Sequence, residues 1–201
     1  MQFGYVERPA HRSRVYDKDR FEVCNHRYSA LCDGAHGVAV LNDCKYGISM
    51  NENALELTLL RASASPEMRA DNCVHHFCYA FTAWEGTFTD CNVVEQGYDL
   101  NIKPWICTGM TNTFSAVTIE KSNIMLETMK LAEDGSGDLI LRFYESKKAA
   151  VITDIYLDLN IQEAYICNML ENIQEELPID NGKIKLAFRA FEIKTVRIKR
   201  N

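Results

Sequence analysis

No unbroken apolar run approaches the roughly 18 residues that a membrane-spanning helix requires, and Met1-Gln2-Phe3-Gly4 is not the charged-then-apolar opening of a secretion signal. Neither a membrane span nor an export signal is therefore expected. An Asn-x-Ser/Thr sequon is also missing, which speaks against a secreted, glycosylated protein. The eight cysteines (Cys24, Cys32, Cys44, Cys73, Cys78, Cys91, Cys107 and Cys167) contain no Cys-x-x-Cys pair. Most sit inside apolar runs, so the expectation is buried, reduced thiols of a cytoplasmic protein and not a disulfide framework. Formal charge is −6, and basic residues stay scattered until the last dozen positions. Phosphate binding needs a clustered cationic face, so a nucleic-acid surface is excluded.

What remains is ordinary globular material: 201 residues, 47% hydrophobic and 25% charged, enough to bury a real core in one large or two small domains. Residues 1–20 are polar, rich in Arg and Tyr, and read as an extended entry segment. Alternation and β-branched or aromatic content predict strands at 21–27, 38–45, 54–62 and 73–81, with turn residues at Asn51-Glu52-Asn53 and a loop marked by Pro66. With no amphipathic helix between them, these strands predict an antiparallel sheet. From Trp84 to Met110 the pattern weakens under Gly86, Gly97, Pro104 and Gly109, and a domain boundary or long crossover is expected there. Strands resume at 114–120, 124–132, 139–144, 149–157, 183–188 and 191–199. A hairpin loop at Glu133 to Asp138 and a turn at Asp180-Asn181-Gly182 punctuate them. Over 161–176, Ile161, Ala164, Tyr165, Met169, Leu170 and Ile173 fall at helical spacing.

The most distinctive stretch is Phe21 to Gly47, in which the apolar run GVAVL gives way to Asn42-Asp43 and then to Tyr46-Gly47, where glycine is expected to end the strand at positive φ. FEVCNHRYSALCD followed by GVAVLNDCKYG resembles the C-terminal β region of glycoside hydrolase family 38, the retaining α-mannosidases, particularly their cytosolic-type and bacterial branch. The resemblance extends to YVERPAHR (Tyr5 to Arg12), LTLLRASASPE (Leu57 to Glu67), HHFCYAF (His75 to Phe81), KLAEDGSGDLILRFYE (Lys130 to Glu145) and AFEIKTVRIKR (Ala190 to Arg200), in order along most of the chain.

That resemblance implies an all-β fold: residues 1–109 as the end of a large antiparallel, mutarotase-like supersandwich, and residues 110–201 as a small terminal β-sandwich. It also implies a strand and loop over 161–176, which we favour over the helix. The family's catalytic carboxylates and its zinc ligands belong to an N-terminal catalytic domain that this chain lacks, so the chain reads as the tail of a cytoplasmic enzyme. Its implied partners are that catalytic domain and, through it, an α-mannoside glycan. Self-association of the fragment is a further expectation. The alternative is a stand-alone carbohydrate-binding or interaction module using Trp84, Trp105 and the tyrosines as sugar platforms, although such aromatics more often serve cores and interfaces.

Retaining glycoside hydrolysis needs two carboxylates about 5 Å apart. No such pair is marked here, and Asp134 and Asp138 flank a turn, where acids serve local hydrogen bonding. Cys73-Val74-His75-His76-Phe77-Cys78 has the composition of a metal cluster, but on a strand its ligands split between two faces, which points to core or interface use. No catalytic and no metal-binding residue is nominated. Arg61, at a strand end, reads as a solvated or surface-paired charge; the resemblance adds a second reading, an arginine hydrogen-bonding sugar hydroxyls at the pocket rim. Asn42 and Asp43 carry the same pair of readings, strand-end turn or rim contact, and His26 and Arg27 are expected to make interface contacts.

Overall fold

The computed structural model describes residues 1–109 and 112–200. They cluster into two compact units: Met1–Gln2 with Val6–Ile106, and Phe3–Tyr5 with Cys107–Asn201. The boundary expected between residues 109 and 110 falls on a position outside the described residues.

In the first unit, α1 (Val15–Asp19) interrupts the expected extended entry segment. Asp17 accounts for the difference, because its carboxylate accepts the Arg14 N–H at 2.9 Å and so caps the turn. Two three-stranded antiparallel sheets follow, built from β1 (Val23–Cys24), β2 (Tyr28–Cys32), β3 (His36–Asn42), β4 (Gly47–Asn51), β5 (Ala54–Thr58) and β6 (Tyr79–Glu85). Their orders are β1-β4-β5 and β2-β3-β6.

Several expected boundaries move. The strand predicted over 21–27 shrinks to β1 because the backbone turns at Arg27, φ 64°. Gly47 does not end a strand at positive φ; it opens β4. A Cβ there would lie 2.8 Å from Glu22 Oε1, so a larger residue would push that carboxylate aside. The strand expected over 73–81 begins only at Tyr79, so the alternation assigned to Cys73–Cys78 does not exist.

After β6 a 3-10 turn (Phe88–Asp90) leads into α2 (Val93–Asn101), a helix hidden from the sequence reading by Gly97 and the polar residues around it. Val93 of α2, with Cys91, buries against Ala39 and Leu41 on one face of β3. Glycine at 37 is what lets Trp84 lie across that face, because any Cβ there would fall inside the indole ring.

The second unit is a sandwich. A five-stranded sheet, β12-β11-β14-β9-β8, faces a three-stranded one, β13-β10-β7, with every pairing antiparallel. The strands are β7 (Val117–Ile119), β8 (Ile124–Leu131), β9 (Leu139–Glu145), β10 (Val151–Leu157), β11 (Ile161–Cys167), β12 (Ile173–Leu177), β13 (Lys183–Phe188) and β14 (Ile193–Arg200). Leu141, Phe143, Val196 and Ile198 from one sheet and Ile155, Ile184, Leu186 and Phe188 from the other form the core. The protein is thus nearly all-β, and both expected turns occur, the first as the β8–β9 hairpin and the second as the turn that enters β13, with Gly135, Gly137 and Gly182 at positive φ. Residues 161–176 are strand-turn-strand. Asn168 Oδ1 accepts the Leu170 and Asn172 N–H groups and closes the turn that the helical spacing had masked.

Candidate functional site

Arg61, Asn42 and Asp43 come from different parts of the first unit, and the short segment Glu22–Asn25 links them. Arg61 pairs with Glu22 Oε2 at 2.8 Å, and the Thr58 hydroxyl donates to the other carboxylate oxygen. The guanidinium side chain remains 63% exposed, so the ion pair itself stabilises by no more than about 1 kcal/mol. At the other end of the segment, Asn25 N donates to Tyr46 O at 2.8 Å, and its Oδ1 accepts from Asn42 Nδ2 at 2.8 Å.

Asn42 is buried and committed. Its Oδ1 accepts Lys45 N–H at 2.9 Å, its own N–H goes to Arg27 O at 2.9 Å, and its carbonyl accepts Asn101 Nδ2 of α2 at 3.0 Å. It orients the loop that follows β3 and has no free polar atom to offer a ligand. Asp43 differs. Its N–H donates to Cys78 O at 3.2 Å, while the Cys44 thiol and the Cys78 N–H donate to its carboxylate and hold the carboxyl below its usual range. The second oxygen, Oδ1, is buried without a hydrogen-bond partner. Closed from the surface in this way, that oxygen meets an outside hydroxyl only when the loop after β3 opens.

Two residues missed as positioning elements are Asn25 and Tyr98. Tyr28 N–H closes back on His26 O at 2.8 Å, a three-residue turn with Arg27 at its centre in the left-handed region, which is the strained hand of the γ-turn. The Arg27 guanidinium lies over the Tyr98 ring at 4.1 Å, which anchors that turn to α2. His26 faces Tyr46 with ring centroids 5.7 Å apart, and burial, then the Arg27 charge, lowers its pKa. No local periodicity in the sequence marks Asn25 or Tyr98, because both act through partners far along the chain.

The other sequence candidates resolve into structural roles. Cys73 Sγ and His75 Nε2 lie 3.6 Å apart, and the same nitrogen contacts Asp71 O at 2.9 Å. No group of three or more His, Cys, Asp or Glu able to hold a metal occurs among the described residues, so these side chains do not fit a zinc site. Nor does the hexapeptide serve a core, since Cys73, Val74, His76 and Cys78 are exposed in an irregular segment.

The burial expected of the thiols is likewise overturned. Cys24, Cys32, Cys44, Cys73, Cys78 and Cys107 are exposed, and only Cys91 and Cys167 are buried, because most apolar runs around them end in loops or at sheet edges. Asp134 and Asp138 are both gripped by Arg197, at 2.8 and 2.6 Å. Trp84 is packed against the first unit's core with its Nε1–H on Thr87 O, whereas Trp105 is 95% exposed. No helix among the described residues is long and apolar enough to cross a membrane.

Residues 1–69 match the glycosyl hydrolases family 38 C-terminal domain, and residues 123–196 match the family 38 C-terminal beta sandwich domain. The chain belongs to glycosyl hydrolase family 38, as part of its C-terminal region. The first family 38 match spans β1 to β5 and includes all three nominated residues; the second spans most of the terminal sandwich. Among relatives, Alpha-mannosidase 2C1 of Homo sapiens is 36% identical over 96% of this chain and 19% of its own length. Alpha-mannosidase G of Dictyostelium discoideum is 33% identical over 98% of this chain and 19% of its own. An alpha-mannosidase structure from Enterococcus faecalis V583 superposes with a TM-score of 0.76 at 16% identity, covering 98% of this chain and 23% of that one, a likeness of fold. The family 38 chain described here therefore spans about a fifth of the length of these relatives.

Proposed function

We propose that the chain is the non-catalytic C-terminal β portion of a cytoplasmic, retaining α-mannosidase, in which it buttresses the catalytic domain and lends polar groups to the rim of the sugar pocket. The observation that carries this reading is the pair of family 38 C-terminal domain matches, in order along one chain. Zinc, which the family implies, would be bound by the catalytic domain; the Cys73–His75 contact does not fit it, and no metal-holding group occurs among the described residues. At the rim, Arg61 contributes an exposed cation, Asp43 holds a buried acceptor oxygen without a partner, and Asn42 fixes the loop on which Asp43 sits.

The test has two arms. This chain alone is expected not to hydrolyse an aryl α-mannoside with or without zinc or cobalt, and turnover that persists through purification would overturn the assignment. When the chain is joined to its catalytic domain, Asp43→Asn and Arg61→Ala are expected to raise KM several-fold, as loss of one sugar hydrogen bond does. Unchanged kinetics in both variants would remove the rim role while leaving the buttress. The binding-module reading draws on Trp105, whose ring is almost fully exposed; mannoside binding by the isolated chain that disappears in Trp105→Ala would favour it.

A further inference from the structure

Phe3, Gly4 and Tyr5 are half-buried, whereas Met1, Gln2 and Val6 to Pro9 on either side are exposed. These three residues belong to the second unit, although Val6–Ile106 of the first lie between them and the rest of it. Phe3 meets Tyr144 edge-on, centroids 5.4 Å apart and planes at 80°, and Tyr5 meets Phe191 the same way at 5.2 Å and 88°. Between them Gly4 lies against the Phe191 ring so closely that a Cβ would stand 3.0 Å from Cδ1 and 3.3 Å from Cε1 and Cγ. An edge-to-face aromatic on each side of a residue whose Cβ would press on the Phe191 ring is a recognition pattern with selectivity at three consecutive positions.

The surface that receives them is held by bonds in which the tripeptide takes no part. Glu145, fully buried at the end of β9, accepts Phe191 N–H on Oε2 at 3.0 Å and accepts Asn123 Nδ2 and Lys147 N–H on Oε1 at 3.0 and 2.8 Å. Its own N–H donates to Glu192 O at 3.0 Å. The turn is closed from the other side by Glu192 N–H to Arg189 O at 3.0 Å and by Arg189 N–H to the Glu192 carboxylate at 2.7 Å. These contacts over-determine a turn that carries Phe191 at φ 58°, a conformation a bulky residue rarely adopts and one that aims its ring at Gly4. Tyr144, buried and paired with Ile193 in the β9–β14 ladder, is equally fixed.

We propose that the Tyr144–Phe191 surface of the terminal sandwich is a preformed receptor for an aromatic-glycine-aromatic peptide, and that its occupant is Phe3-Gly4-Tyr5 of this same chain. The tripeptide docks on it as a ligand docks and does not build it.

The test uses the full chain carrying Phe3→Ala and Tyr5→Ala, with amide exchange read at Phe191 and Glu192, and a synthetic peptide with the sequence of residues 1–8 added in trans. The double variant should keep its sandwich while exchange at the turn rises about tenfold, the factor expected from losing two edge-to-face pairs. The added peptide should restore protection, and the same peptide with valine in place of the glycine should not. Gly4→Val in the full chain provides a second variant, expected to release the segment to protease with the strands intact. The proposal is overturned by unchanged exchange in the double variant, by no response to the peptide at millimolar concentration, or by collapse of the sandwich in either variant, which would make the tripeptide part of the core and not a ligand.

Discussion

Asn42 and Asp43 are neighbours with opposite circumstances. Every polar atom of Asn42 has a partner, and truncation to alanine strands the buried Asn25 Oδ1 and the half-buried Lys45 N–H. Leaving two such groups unpaired costs about 2–4 kcal/mol, so Asn42→Ala is expected to lower the denaturant midpoint of the first unit and leave the terminal sandwich unchanged. Asp43→Asn removes a charge from a side chain that already has an oxygen to spare, and the same measurement should move by less than about 1 kcal/mol. Equal losses in the two variants would show that the loop after β3 does not separate a structural residue from an available one. From the sequence these two residues were legible only as a pair at a strand end. Their division of labour depends on Asn25, Arg27 and Asn101, none of which local spacing connects to them.

Among the elements, the β8–β9 hairpin has a stability tied to pH. Arg197 of β14 reaches back to Asp138, Asp134 and the Ser136 hydroxyl, and Arg200 donates to Gly137 O at 3.1 Å. Ser136, through its side chain and its backbone N–H, and then Arg197 lower the Asp134 pKa from 3.8 to about 2. A carboxyl held below its unfolded value contributes stability that is complete above the unfolded pKa and is lost as pH falls through the folded one. Hairpin protection should therefore be flat above about pH 4 and fall between about pH 4 and 2, and Asp134→Asn should flatten that part of the profile. Arg197→Lys, which cannot fork to two carboxylates, is expected to cost about 2 kcal/mol at neutral pH, read by thermal melting. In the β2-β3-β6 sheet, Gly37→Ala must displace the Trp84 indole and should cost about 1–3 kcal/mol, with a shift in tryptophan emission.

At the scale of the whole molecule, the two units differ in how their sheet edges are protected. The edge strand β12 carries exposed Glu175 and Glu176, charges that discourage pairing with another chain. The edge strand β6 reads Tyr-Ala-Phe-Thr-Ala-Trp-Glu, with Tyr79 and the 70%-exposed Phe81 on the face away from α2 and a single charge at its end. In register beside it on that face stand Val38 and Val40 of β3 and Leu31 of β2, none of them fully buried. The chain is accordingly expected to self-associate through its first half at micromolar concentration, with Phe81→Lys restoring the 23.0 kDa species in sedimentation. A monomer showing uniform hydrogen-exchange protection across both units would contradict this and favour a self-sufficient module.

What the sequence alone determined is what short-range chemistry controls. Alternation marked most of the strands of the terminal sandwich, and the glycines of Glu133–Asp138 and Asp180-Asn181-Gly182 marked two of its turns, because positive φ is a property of single residues. The order of family motifs placed the chain among the family 38 C-terminal regions. Only the tertiary structure decided which groups are left over. It cut β1 short ahead of a strained Arg27, began β4 at Gly47 against the Glu22 carboxylate, and folded α2 over β3 where the local pattern is weakest. It also exposed six thiols that the surrounding apolar residues suggested were buried, and it set Phe3-Gly4-Tyr5 against a turn nearly the whole chain away. Each of these outcomes rests on a partner distant in sequence, and burial and hydrogen-bond satisfaction are properties of the pair, not of either residue.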